Sequence, residues 1–168
     1  MGWVNPTSNV ANGWADPTYA YDDETTLYAS YSVQAVWSPY LELYIGAISC
    51  DKVQAYCSIV NTQVTAQEVD VYYGGAWHNI YSGVPRKGAY YEYAIGSTET
   101  VTGMRFRFNS SKAARWAGVN DADFWEVVSG PTPNAYNKIL YTSEPPTPNA
   151  WNQVKQDTGT GWKKLLYV

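Results

Sequence analysis

The chain has few of the residues that enzymes and membrane proteins depend on. Of its 168 residues, one is histidine and two are cysteine. A single histidine leaves too few nitrogen ligands for most metal centres and narrows acid–base chemistry. No GxSxG, HExxH or phosphate-loop pattern occurs, and Gly74-Gly75 reads as a turn between strands. A glycosidase needs two facing carboxylates, and no local pattern marks such a pair. These absences argue against an enzyme. No run of 18 apolar residues is present, which predicts no membrane-spanning helix. No charged n-region and apolar h-region follow Met1, which predicts no secretory leader. Basic residues are the minority, 11 Lys and Arg against 15 Asp and Glu, for a net charge of −4. That excludes the basic footprint a nucleic-acid partner requires.

What is abundant points to β structure. There are 16 Tyr and 8 Trp, and aromatic side chains suit a pleated, half-buried surface. Nine Pro and 13 Gly fit many short strands joined by turns. No segment holds a 3.6-residue apolar period. The clearest local signal is VDVYYGGAWHNIYSG (69–83), with period-two alternation on both sides of a Gly-Gly turn. It predicts a hairpin of EVDVYYG (68–74) and WHNIYSG (77–83), with Trp77 in the core and His78 exposed. Further strands are read at LELYIG (41–46), VQAYCSIV (53–60), YYEYAIG (90–96), VTGMRFRFNS (101–110) and DFWEVVSG (123–130). SKAARWAGV (111–119) reads as a short helical turn. Residues 2–33 read as a loop-rich lead. Strands at this spacing predict a sandwich or barrel.

Cys50 and Cys57 fall within CDKVQAYCSIV, which reads as one strand. Unbroken, it holds their backbones about 23 Å apart at ~3.3 Å per residue. A disulfide needs Cα atoms within about 7 Å, so a bridge requires a turn near Asp51-Lys52. The pair is read as free thiols, which points to a reducing compartment.

After Gly130 the composition changes. PTPNAYN (131–137) and PTPNAWN (146–152) are an internal repeat, followed by KILY and by KKLLYV. Residues 1–129 carry a net charge of −6 and residues 130–168 a net of +2. The division expected is a sandwich over 1–130 and an extended, Pro-rich arm of short strands over 131–168. Tyr136, Ile139, Leu140, Tyr141, Trp151, Trp162, Leu165, Leu166 and Tyr167 are too apolar for a solvated linker. They read as an assembly arm that packs on its own sandwich or on a neighbouring subunit.

The order AYDDETTLYAS (20–30), LELYIG, DKVQAY, VDVYYGGAWHNIYSG, MRFRF and FWEVV resembles the discoidin, or coagulation factor 5/8 type C, superfamily. Carbohydrate-binding modules of the galactose-binding-like fold share that plan. The resemblance covers about residues 8–129 and implies an all-β, jelly-roll β-sandwich. Trp14 to Asp22 and the repeated tail also resemble surface proteins of tailed-phage virions.

The superfamily often holds a structural calcium beneath the lead loop. The resemblance implies Asp22, Asp23, Glu24 and Glu126 as its ligands. Asp23 stands where the motif has glycine, and Leu27 where it has a threonine ligand. The residues alone read as a solvated acidic loop whose carboxylates cap turns, with no cofactor. For sugar binding the resemblance implies loop aromatics and polar groups at one end of the sandwich. Here these are Trp37 and Tyr40 before the first clear strand, and Arg115 and Trp116 before the last.

The first functional expectation is a non-catalytic virion structural protein, a head decoration or tail-associated module. Its partners are then other virion proteins and its own copies as a homo-oligomer. The second is a secreted carbohydrate-binding module for cell-surface or polysaccharide glycans. The third is a small glycosidase.

Overall fold

The computed structural model describes residues 1–59 and 63–128, and the backbone of Val154–Asp157 and Trp162–Leu165. Met1–Val128 and Ser129–Val168 form separate compact units.

The first unit is all-β. Its strands are β1 (Gly2–Val4), β2 (Ser8–Val10), β3 (Ala29–Val33), β4 (Leu41–Ile59), β5 (Val64–Tyr73), β6 (Ala76–Gly83), β7 (Tyr90–Ser110) and β8 (Arg115–Glu126). One 3-10 turn, Pro17–Tyr21, interrupts the lead. Two of these strands are far longer than a usual strand, and they join the two layers. The first half of β4 pairs with the second half of β7, Leu41 opposite Phe106 and Leu43 opposite Met104. That half of β7 also pairs with β5, and β5 with β6. After register shifts between Tyr44 and Ile48 and between Cys50 and Lys52, the second half of β4 pairs with the first half of β7. Its other edge takes β8, Val53 opposite Phe124. β1 and β3 line the far edge of β8. Irregularities of this kind bend and twist a strand, so one chain of hydrogen bonds runs through both sheets of a sandwich.

Alternation places the core. In the first sheet Leu41, Leu43, Val69, Val71, Met104, Phe106 and Phe108 are fully buried. In the second, Val53, Ala55, Cys57, Val119, Ala122 and Phe124 are. Full burial of one such large side chain stabilises by ~1.5–3 kcal/mol. The lead supplies a cover: Trp14 is buried against Phe108, and its indole N–H donates to the Pro39 carbonyl at 3.1 Å.

Several expectations change here. LELYIG and VQAYCSIV are one strand, as are YYEYAIG and VTGMRFRFNS. The lead contains three short strands. Residues 111–119 form no helical turn: Ala114 takes a left-handed φ of 54°, and β8 begins at Arg115. Both cysteines are free and buried on the one strand β4. The hairpin turns at Gly74 and Gly75, with φ of 58° and 82°, as a two-residue primed turn requires. Its faces are the reverse of the expectation. His78 lies opposite Val71 on the core side and stacks on Tyr73 at 3.8 Å. Trp77 lies opposite Tyr72 on the outer side.

The second unit, in the described residues, is an antiparallel pair of β9 (Val154–Asp157) and β10 (Trp162–Leu165). Tyr136, Ile139, Leu140, Tyr141, Trp151, Leu166 and Tyr167 lie outside the described residues. Of Trp162 and Leu165 only the backbone is described.

Candidate functional site

Three arrangements on the sandwich carry chemistry. The first is the outer face of the first sheet, where alternation turns the charged residues outward. Glu42, Arg105, Asp70 and Asn79 stand side by side on four neighbouring strands. Arg105 Nε donates to Asp70 Oδ2 at 2.7 Å, and Asn79 Nδ2 donates to Asp70 Oδ1 at 2.7 Å. One row over, Arg107 Nε donates to Glu68 Oε2 at 2.6 Å. The guanidinium of Arg105 lies 3.7 Å from the Tyr40 ring centre and 4.4 Å from that of Trp77. That of Arg107 covers Trp37 and Tyr40. Trp37 and Tyr40 are therefore stacked beneath arginines, half-buried in a network whose charges answer one another.

Arg115 and Trp116 sit elsewhere. They are the first residues of β8, in the second sheet, and not a loop between strands. Arg115 donates to the Gln63 side chain. Trp116 points outward opposite Ser32 of β3 and is 50% exposed. The four residues expected to share a sugar site thus divide into two pairs on two sheets. Near Trp116, Tyr28 lies on Gly118: a Cβ at that glycine would come within 2.6 Å of the Tyr28 ring. Ser30 of β3 and Ser58 of β4 flank Gly118. Strand alternation sends Trp116, Gly118 and these two serines to one face.

The third arrangement is acidic. Asp23, Asp121 and Asp123 each present a carboxylate oxygen within 4.8 Å of the others. Asp121 and Asp123 alternate outward on β8, yet are buried because the lead crosses that face. The 3-10 turn packs on β8, and Asn120, beside a register shift, donates from Nδ2 to the Thr25 carbonyl at 2.8 Å. Asp23 has a φ of 62°, the left-handed conformation that glycine favours and aspartate tolerates. This accounts for an acid standing where the discoidin motif has glycine. Tyr90 Oη donates to Asp121 Oδ2 at 2.7 Å, and Gln54 Nε2 to Asp123 Oδ2 at 2.7 Å. The other oxygen of each aspartate is buried without a partner. Burial, and then the neighbouring acids, raise the Asp121 carboxyl to about 6 despite the tyrosine bond. Asp123 is raised for the same first reason.

Of the calcium ligands the sequence suggested, Asp23 alone enters this cluster. Asp22 and Glu24 are exposed, and Asp22 accepts from the Glu24 backbone. Glu126 pairs with Gly2 and Cys50 further along β8. The sequence signal for it is Asn-Asp-Ala-Asp-Phe (120–124), two acids two residues apart in the buried stretch of β8. The donor set suits a hard cation: oxygen ligands, of which two are desolvated and unpartnered.

No family model matches the chain, and no curated protein matches it. Solved structures do. The family 32 carbohydrate-binding module of AlyQ, in complex with 4,5-unsaturated mannuronic acid, superposes with a TM-score of 0.58. It is 14% identical, over 76% of this chain and 100% of that one. The fold is the discoidin-like, galactose-binding-like β-sandwich. Module CBM32-1 of a family 31 glycoside hydrolase from Clostridium perfringens shares it, with a TM-score of 0.52, 12% identity and coverage of 75% of this chain and 91% of the module. So does chitosan-binding module 1 of a chitosanase/glucanase from Paenibacillus sp. IK-5, at 0.50, 11% identity, 73% and 96%.

Proposed function

We propose that the sandwich is a non-catalytic, secreted glycan-binding module. The observation that carries this is Trp116, an indole half-exposed on a sheet face among serine hydroxyls. A ring face stacks on the apolar side of a pyranose, and small hydroxyls serve its oxygens. Solved neighbours, one in complex with 4,5-unsaturated mannuronic acid and one a chitosan-binding module, support the same reading. Burial protects the two thiols from oxidation, so free cysteines are compatible with an extracellular site. A virion role rests on the Trp14 to Asp22 lead and on residues 131–168, the side chains of the latter lying outside the described residues, and no solved neighbour supports it.

A cation, calcium by its preference for oxygen, would be held by Asp23, Asp121 and Asp123. Bound there it would neutralise the buried carboxylates and tie the lead to β8. The chain's own contribution is the two hydrogen bonds from Tyr90 and Gln54, which aim the carboxylates.

The test is binding of immobilised neutral polysaccharides by residues 1–128 and by the full chain, with Trp116→Ala beside each. Retention of wild-type protein and loss of it in Trp116→Ala supports a glycan site. Failure of every glycan to retain wild-type protein removes the reading.

A further inference from the structure

Resting on the glycan-binding reading, we infer that the site is an extended strip that takes the interior of a neutral polysaccharide chain, not a pocket for one terminal sugar. The strip is read directly from strand register. It starts at Trp116 and passes two residues along β8 to Gly118, against which the ring of Tyr28 packs. Directly opposite Gly118 is Ser58 of β4. Two residues back along β4 is Tyr56, which lies opposite Tyr90 of β7. The Tyr56 and Tyr90 rings meet edge to face at 5.6 Å.

Three of these rings are open to solvent: Trp116 at 50%, Tyr90 at 42% and Tyr28 at 37%. With ~3.3 Å per residue along a strand and ~4.8 Å between strands, Trp116 and Tyr90 are roughly 17 Å apart. That is several ring lengths, too far for one sugar to touch both ends. Between them Gly118 seats the Tyr28 ring, and the half-buried Ser30 and Ser58 beside it offer hydroxyls. The open rings beside buried acids favour an uncharged chain, since Asp121 and Asp123 lie just beneath its Tyr90 end. The outer face of the first sheet makes a contrast: its tryptophans are covered by Arg105 and Arg107, and no aromatic ring of it is among the exposed large side chains of the described residues.

Calorimetric titration of the full chain with neutral oligosaccharides of increasing length, from one unit to six, tests this. The polysaccharide that retained wild-type protein supplies the series. Affinity is expected to climb with length. Tyr90→Ala and Tyr28→Ala are each expected to lower the affinity for the longest chain about fivefold, the scale of one aromatic contact. Val84→Ser, an exposed site off the strip, serves as the control. Thermal melts show whether each variant is folded, and Tyr90→Leu is a second variant if Tyr90→Ala is not. Equal affinity for one unit and six overturns the strip and leaves a terminal-sugar site at Trp116. A climb with length that survives both tyrosine variants overturns it as well. No binding of any glycan by wild-type protein overturns the strip and the glycan reading together.

Discussion

Tyr90 donates a 2.7 Å hydrogen bond to Asp121, from β7 across β4 to β8. It places an exposed ring of the outer face and a buried carboxylate of the acidic cluster in one contact. Burial and that carboxylate together push the tyrosine hydroxyl well above its ordinary pKa. A ligand on the proposed strip and a cation at the cluster would therefore share a side chain. A cation that holds Asp121 in place also holds Tyr90.

The cluster sets the pH dependence of the cation-free protein. Asp121 is protonated more readily folded than unfolded, with a folded pKa of about 6 against an ordinary 3.8. A raised carboxyl pKa contributes stability at low pH that is lost as pH rises through the folded value. Chelated protein is expected to melt at higher temperature near pH 5 than near pH 7. Asp121→Asn is expected to flatten that difference. Added calcium is expected to raise the melting temperature most at pH 7, where the carboxylates are ionised. Melts with and without chelator at both pH values check this, and a melting temperature indifferent to calcium at pH 7 would remove the cation.

The ion pair of Arg105 with Asp70 is the most buried of the first sheet's outer face. The Asp70 side chain is 5% exposed. Arg105→Ala leaves that carboxylate buried with one hydrogen-bond donor fewer, and its expected cost is about 3 kcal/mol in urea unfolding. Asp70→Asn, which keeps a polar partner, is expected to cost less. A cost below about 0.5 kcal/mol for Arg105→Ala would show the pair to behave as an exposed surface bridge.

Gly118 is a close-approach position and not a turn. A methyl group there meets the Tyr28 ring at 2.6 Å and the Ala29 carbonyl at 3.2 Å. Gly118→Ala is expected to displace Tyr28, with a cost of ~1–3 kcal/mol for the crowding. It is also expected to weaken binding of long chains. Unchanged stability and binding would mean that Tyr28 does not rest on the strand in solution.

Cys57 is fully buried, and burial raises its thiol to about 12; Cys50 is raised to about 11 in the same way. Thiolate is the reactive form. A thiol reagent at pH 8 is expected to label neither residue in the native protein and both in denaturant. Rapid labelling of the native protein would contradict a buried, continuous β4.

Much of the sandwich was legible in the chain because period-two alternation survives without context. Met104, Phe106 and Phe108 against Arg105 and Arg107 named one strand, its core side and its outer side. The Gly-Gly turn named a hairpin, and the scarcity of histidine and of metal-binding motifs argued against catalysis. The merging of four short strands into β4 and β7 was not legible, because bulges carry a strand through residues that look like a break. Alternation says which residues share a face, not which face meets the core. That is why Trp77 and His78 exchanged places: the closing pair of the turn set the register, and β5 decided the side. The acidic cluster and the strip belong wholly to the tertiary structure. Asp23 lies far along the chain from Asp121 and Asp123, and Tyr28 from Gly118, so folding alone brings them together. The buried carboxylates exist only because the lead crosses β8, and the row of open rings only because β3, β8, β4 and β7 lie side by side.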